Sequence, residues 1–290
     1  MKIRILSALV GIVLLIGLLI CPWTWVLALA AAVLAALAVW ELCHKTGKVQ
    51  SVMLTVVNAV FAAIGVGLMY LYRLSADSYY GTVFRSYDKI LLSAMCLFPL
   101  ILSAITLILW LIGRKKVSFT DVCYGYLMTL YATIGFGSLA SLRIFNGADR
   151  GIWYILLVLI IPWMSDTGAY FVGSLIGKHK MAPVISPKKT WEGFVGGWLV
   201  SMGCAALYAV LCSALVIEIN VLTAVLLAFV LSPLSVCGDL LASYIKRSSN
   251  IKDYGNLMPG HGGVMDRFDS VILIAPLLYV FAMQYGYWMI

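Results

Sequence analysis

The feature that most constrains this chain is its succession of long apolar runs separated by short polar ones. A helix crossing a bilayer needs about 20 mainly apolar residues. Nine segments approach that length: 5–20, 24–43, 51–72, 90–112, 121–142, 152–174, 193–216, 219–245 and 269–289. They make the 290-residue chain 63% hydrophobic and 11% charged, against about 45–50% and 25% in soluble domains. Too little polar surface is left to coat a water-soluble fold, and a disordered chain or a secreted disulfide scaffold fits worse. The fold class expected is all-α: a polytopic transmembrane protein of about nine spanning helices. Lys2 and Arg4 before the first segment give it the outline of a signal peptide. No small-x-small cleavage site follows, however, and Cys21-Pro22-Trp23 reads as a tight turn, so a retained helix is expected. The seven cysteines show no CxxC pairing and mostly lie in or beside apolar segments, where they read as small packing residues.

The formal charge of +8 arises from basic residues that interrupt apolar runs rather than forming a patch on a soluble fold. Nucleic acid is therefore not expected as a partner, whereas a membrane surface or an anionic substrate is. With the N-terminus inside, fifteen of the 20 lysines and arginines fall between spans on the cytoplasmic side and five on the other. By the positive-inside rule this places the N-terminus in the cytoplasm and the C-terminus outside. Residues 1–150 read as N-terminal transmembrane helices with scattered loop charges. Residues 151–290 read as a C-terminal catalytic region, whose loops 175–192 and 246–268 are dense in Gly, Pro, Ser, Lys and Asp.

An ionisable group inside a membrane helix costs about 2.5–3.5 kcal/mol or more, so each needs a partner or a purpose. Asp166 lies late in a long apolar run. Asp239 shares a helix face with Ser243 and Lys246 at i+4 and i+7; alone, these would form a structural pair near the interface. Asp266 and Asp269 stand at i and i+3 where the last helix begins, a common place for acids that complement the helix dipole. Before them runs Pro259-Gly260-His261-Gly262-Gly263, whose glycines allow close backbone approach to a ligand. Loop 175–192 supplies Ser186-Pro187-Lys188-Lys189-Thr190-Trp191-Glu192-Gly193, in which hydroxyls, two lysines and a helix start converge as they do at anion sites. The alternative is a basic loop that only sets topology. Neither His179 nor His261 has metal-ligand spacing to another His or Cys, so neither reads as a zinc ligand. Four carboxylates and two basic loops on one membrane face suit magnesium with phosphate, because magnesium takes one or two carboxylates and completes its shell with phosphate oxygens and water.

The stretch from Ser243 to Asp269 resembles the signature of the phosphatidate cytidylyltransferases, or CDP-diacylglycerol synthases. It does so through Ser243, Lys246-Arg247, Lys252-Asp253, Pro259 to Gly263, Asp266-Arg267 and Asp269. A second block, Ser165-Asp166-Thr167-Gly168-Ala169-Tyr170-Phe171 through Ser186 to Gly193, is similar to the family's other characteristic segment. Ser174, Ala242 and Tyr254 depart from residues common in the family. The resemblance implies that CTP and phosphatidic acid react to give CDP-diacylglycerol and pyrophosphate. It also implies magnesium, with an additional monovalent cation left open, a homodimer, and a bacterial inner (cytoplasmic) membrane with the active site facing the cytoplasm. On this reading Asp239 and Asp266 hold the metal, supported by Asp269 and Asp166. Lys188, Lys189, Lys246 and Arg247 neutralise phosphates, with Lys252 and Arg267 also in the binding set. Ser186, Thr190 and Ser243 donate hydrogen bonds, and Gly260, His261, Gly262 and Gly263 sit against the phosphates. Two alternatives are an ion- or proton-coupled transporter, since intramembrane carboxylates also mark transport sites, and a related CTP-dependent enzyme acting on another lipid phosphate.

Overall fold

Pro22 follows the first helix, and from there the chain is dominated by long apolar helices. The computed structural model describes residues 2–76, 87–113, 117–145, 148–215, 218–255, 257 and 262–285. Its helices are α1 (Lys2–Ile20), α2 (Thr24–Trp40), which continues into a π-helical turn (Glu41–Lys45), α3 (Val52–Ala76), α4 (Asp88–Gly113), α5 (Phe119–Leu142) and α6 (Ala148–Ile176). Strands β1 (Lys180–Ala182) and β2 (Ser186–Thr190) precede α7 (Trp191–Leu215), α8 (Val221–Ser248) and α9 (Met265–Tyr285). Eight of these helices are long and apolar enough to cross a membrane, and the protein is a polytopic helical membrane protein. The first expected span lies in α1, which is not among these eight. The loop expected over 175–192 contains the fold's small antiparallel hairpin, in which Lys180 pairs with Thr190 and Ala182 with Ser186 across an irregular register.

The chain divides into two units, one of Met1–Ile152 with Ser248–Phe268 and the other of Trp153–Arg247 with Asp269–Ile290. In the first, α2 packs against α3 and α5, and α3 also meets α4. Ala28, Ala31, Ala35 and Ala38 form the buried stripe of α2. Lipid tails are as apolar as leucine, so membrane helices associate by close packing, and small residues at i, i+3 and i+7 permit it. Gly125 of α5 follows the same logic, since a methyl there would meet the Asn58 amide of α3 at 2.3 Å. Helix α5 starts at a capping box: the Ser118 hydroxyl accepts from the Thr120 N–H, and Asp121 reaches back to the Ser118 N–H.

In the second unit, α6 and α7 approach through glycines. A methyl on Gly197 would meet the Ser165 carbonyl at 2.3 Å, and one on Gly193 the Ala169 carbonyl at 2.7 Å. Pro233 inside α8 lacks the N–H that would have bonded the Phe229 carbonyl. That carbonyl instead accepts from the indole Nε1–H of Trp198 on α7, at 2.8 Å. One turn further along α8, Ser232 donates to the Ser165 hydroxyl of α6 at 3.0 Å in a buried contact. These bonds satisfy polar groups that hydrocarbon could not. Trp198→Phe is accordingly expected to lower stability by about 1 kcal/mol, seen as a lower thermal unfolding midpoint in detergent.

Candidate active site

The second unit gathers most of the charged residues singled out by the sequence. Thr190 ends β2 and accepts the Gly193 N–H at 3.1 Å, so this buried hydroxyl caps α7. The Glu192 carboxylate accepts the backbone N–H groups of Lys178 and His179 at 3.1 and 3.2 Å and pairs with the His179 ring. The hairpin is thereby fastened at its base, and Lys189 on β2 is aimed at α8. There its ammonium forms an ion pair with Asp239, both side chains being about three-quarters buried. Ser243, one turn beyond, donates to the other Asp239 oxygen at 3.4 Å.

Asp166 on α6 and Asp269 on α9 are each close enough to Asp239 to repel it electrostatically. Two lysines offset that repulsion, Lys189 at Asp166 and Lys246 at Asp269. The α8–α9 approach is tight, since a methyl on Gly238 would meet the Asp269 carbonyl at 2.6 Å. Asp269 itself accepts from the Ser270 N–H at 2.7 Å. A cavity of about 230 Å³ borders the cluster, lined by Asp166, Tyr170, Ser186, Lys188 and Lys189 among others. Arg247, at the end of α8, is exposed.

Asp266 belongs to the first unit. One of its oxygens accepts two backbone N–H groups, from Tyr254 at 2.8 Å and from Gly263 at 2.9 Å. Gly262, at φ +89°, lies so close that a methyl there would be 2.6 Å from that oxygen. The carboxylate thus folds the turn that precedes it. Lys252 and Arg267 are exposed in the same unit. Gly260 and His261 lie outside the described residues. The sequence reading did not single out Glu41, a buried acid of the π-helical turn that accepts the Val264 and Met265 N–H groups at 2.9 Å each. The only sequence signal was an acid at the end of an otherwise apolar helix, which the rule for intramembrane charges could have flagged.

Among the described residues, no three His, Cys, Asp or Glu side chains are grouped closely enough to hold a metal ion by themselves. The donor chemistry is nonetheless that of a hard cation: aspartate oxygens that repel one another, beside a cavity that Ser186, Lys188 and Lys189 help to line. This fits an ion that takes one or two carboxylates and completes its shell with phosphate and water, as magnesium does. The arrangement brings ammonium groups and carboxylates together beside one cavity, a combination suited to an anionic ligand with a cation.

Residues 2–285 match the model of the cytidylyltransferase family. A phosphatidate cytidylyltransferase of Staphylococcus haemolyticus is 32% identical over 284 residues, covering 98% of this chain and 100% of that protein. One of Staphylococcus aureus strain COL is 32% identical over 286 residues, with the same coverage of both chains. One of Staphylococcus epidermidis reaches 39% identity over 184 residues, 63% of this chain and 67% of that protein. The match runs through both units and through every carboxylate described above, and this chain belongs to the cytidylyltransferase family.

Proposed function

We propose that this protein transfers the cytidylyl group of CTP to phosphatidic acid, releasing pyrophosphate and forming CDP-diacylglycerol for membrane phospholipid synthesis. The observation that carries this reading is the cluster of Asp166, Asp239 and Asp269 with Lys189 and Lys246, beside a cavity lined by Asp166, Ser186, Lys188 and Lys189 among others. It lies in a chain aligned over nearly its whole length with phosphatidate cytidylyltransferases. In the reaction an oxygen of the lipid phosphate attacks the α-phosphorus of CTP, the bond from that phosphorus to the bridging oxygen breaks, and pyrophosphate leaves with the electron pair. A phosphate monoester is already charged near pH 7, its second pKa being about 6, so no protein nucleophile is needed. Catalysis is then mostly positioning and neutralisation of charge.

In this reading Asp239 and Asp266, with Asp269 and Asp166 in support, hold a magnesium ion, which supplies Lewis-acid stabilisation of the phosphates when bound. Lys188, Lys189, Lys246 and Arg247 draw the triphosphate and lipid phosphate into line. Ser186 and Ser243 orient phosphate oxygens. The reading places the protein in a bacterial inner membrane with its N-terminus and both basic loops in the cytoplasm, where CTP is made; the split of the 20 basic residues supports this. A homodimer is part of the proposal by family resemblance.

The test is pyrophosphate release by purified protein in detergent. Turnover should require both CTP and phosphatidate, stop on chelation and return with magnesium. Absence of turnover with CTP, or solute uptake into liposomes without nucleotide, overturns the reading.

A further inference from the structure

Helix α9 opens without a capping side chain of its own. The residue before its first position is Val264, which has no oxygen to offer the unpaired N–H groups at the helix start. Two N–H groups at this start are nevertheless satisfied from outside the helix. Val264 N–H donates to Glu41 Oε1 and Met265 N–H to Glu41 Oε2, both at 2.9 Å, across 223 and 224 residues of sequence. The fit is close on every side. A methyl on Gly263 would lie 2.2 Å from the carboxylate, and one on Gly255 would lie 2.8 Å from it. Glu41 is 5% exposed, and it stands near enough to Asp266 for the two acids to repel each other. Burying an acid beside another acid is costly, and glutamine could offer only one acceptor oxygen to the two donors. A carboxylate is the side chain that caps both, and the positive end of the helix dipole favours its charge.

We propose that Glu41 is a positioning residue for the transfer reaction. By capping α9 from the π-helical turn after α2, it fixes the orientation of the first turn of α9, and so the direction in which Asp266 faces. Glu41 accepts from backbone N–H groups here and acts through Asp266 and the adjoining glycine turn. The inference rests on the phosphatidate cytidylyltransferase reading.

The experiment uses the full chain in detergent, with E41Q and E41A compared by steady-state kinetics and by hydrogen exchange of backbone amides. Loosening a positioned group by about 1 Å can lower a rate by about 100-fold. E41A is therefore expected to lose about 10- to 100-fold in kcat with KM for CTP and phosphatidate little changed, and E41Q, keeping one acceptor, to fall between E41A and the wild type. Exchange should accelerate at Val264 and Met265 and not in α3 or α5. A folded E41A with wild-type kcat overturns the proposal. So does a variant in which exchange accelerates equally through α3 and α5, the mark of general loss of stability. Should E41A fail to fold, E41Q decides by the same two readouts. Failure of the parent reading is separate, because there the wild-type protein makes no CDP-diacylglycerol.

Discussion

Asp239→Asn is expected to reduce cytidylyl transfer by about 100- to 1,000-fold, the range seen when one preorganised charge-stabilising group is removed from an active site. The substitution keeps the size of the side chain and an oxygen to accept from Ser243, so the helix and its local packing persist. It removes the charge that holds Lys189 and that contributes to the repulsion at Asp166 and Asp269. Lys189 is then left with Asp166, on which it already acts electrostatically. On the proposed reading a bound cation would also lose a hard anionic donor, which asparagine replaces only with a neutral carbonyl. The measurement is turnover of labelled CTP alongside thermal unfolding of the same preparation. A folded variant within about twofold of wild type would remove Asp239 from the reaction. Asp121→Asn is the matched control. Its carboxylate closes the capping box of α5, so a stability loss of about 0.5–1 kcal/mol and unchanged turnover per folded molecule are expected.

The helices were legible because hydrocarbon demands continuous apolar runs, and a period of 20 residues survives any packing detail. What was hidden depends on tertiary contact. Asp239 looked outward along its own helix to Lys246, seven residues on, yet its ion pair is with Lys189 on β2, while Lys246 acts on Asp269. Helical spacing says which residues share a face and nothing about what another element brings to it. The β1–β2 hairpin was equally hidden: Pro183 and Pro187 interrupt the alternation that marks a strand. Its anchor is an acid, Glu192, on the next helix, binding backbone N–H groups. Glu41 went unnoticed for the same reason, because its partners are two N–H groups that any residue at 264 and 265 would present. Thr190 was legible as a hydroxyl in a basic loop, but only the start of α7 reveals that its oxygen accepts the Gly193 N–H.

Asp266→Asn and Asp266→Ala separate two jobs that one carboxylate performs. A single oxygen of Asp266 accepts the Tyr254 and Gly263 N–H groups, and the amide oxygen of asparagine can accept the same pair. The asparagine variant should therefore keep the turn before α9 and lose only charge. Alanine removes the acceptor as well, leaving two N–H donors without a partner at about 1–3 kcal/mol each where water is excluded. The expected results are a well-folded Asp266→Asn with kcat lowered about 100-fold and a raised magnesium requirement, and an Asp266→Ala that is also less stable. Hydrogen exchange at Tyr254 and Gly263 should rise only in the alanine variant. If Asp266→Asn instead turns over CTP at the wild-type rate while Asp266→Ala does not, the carboxylate serves as a clip for the glycine turn. Metal binding would then have to rest on Asp239, Asp269 and Asp166, which Lys189 and Lys246 already offset in part.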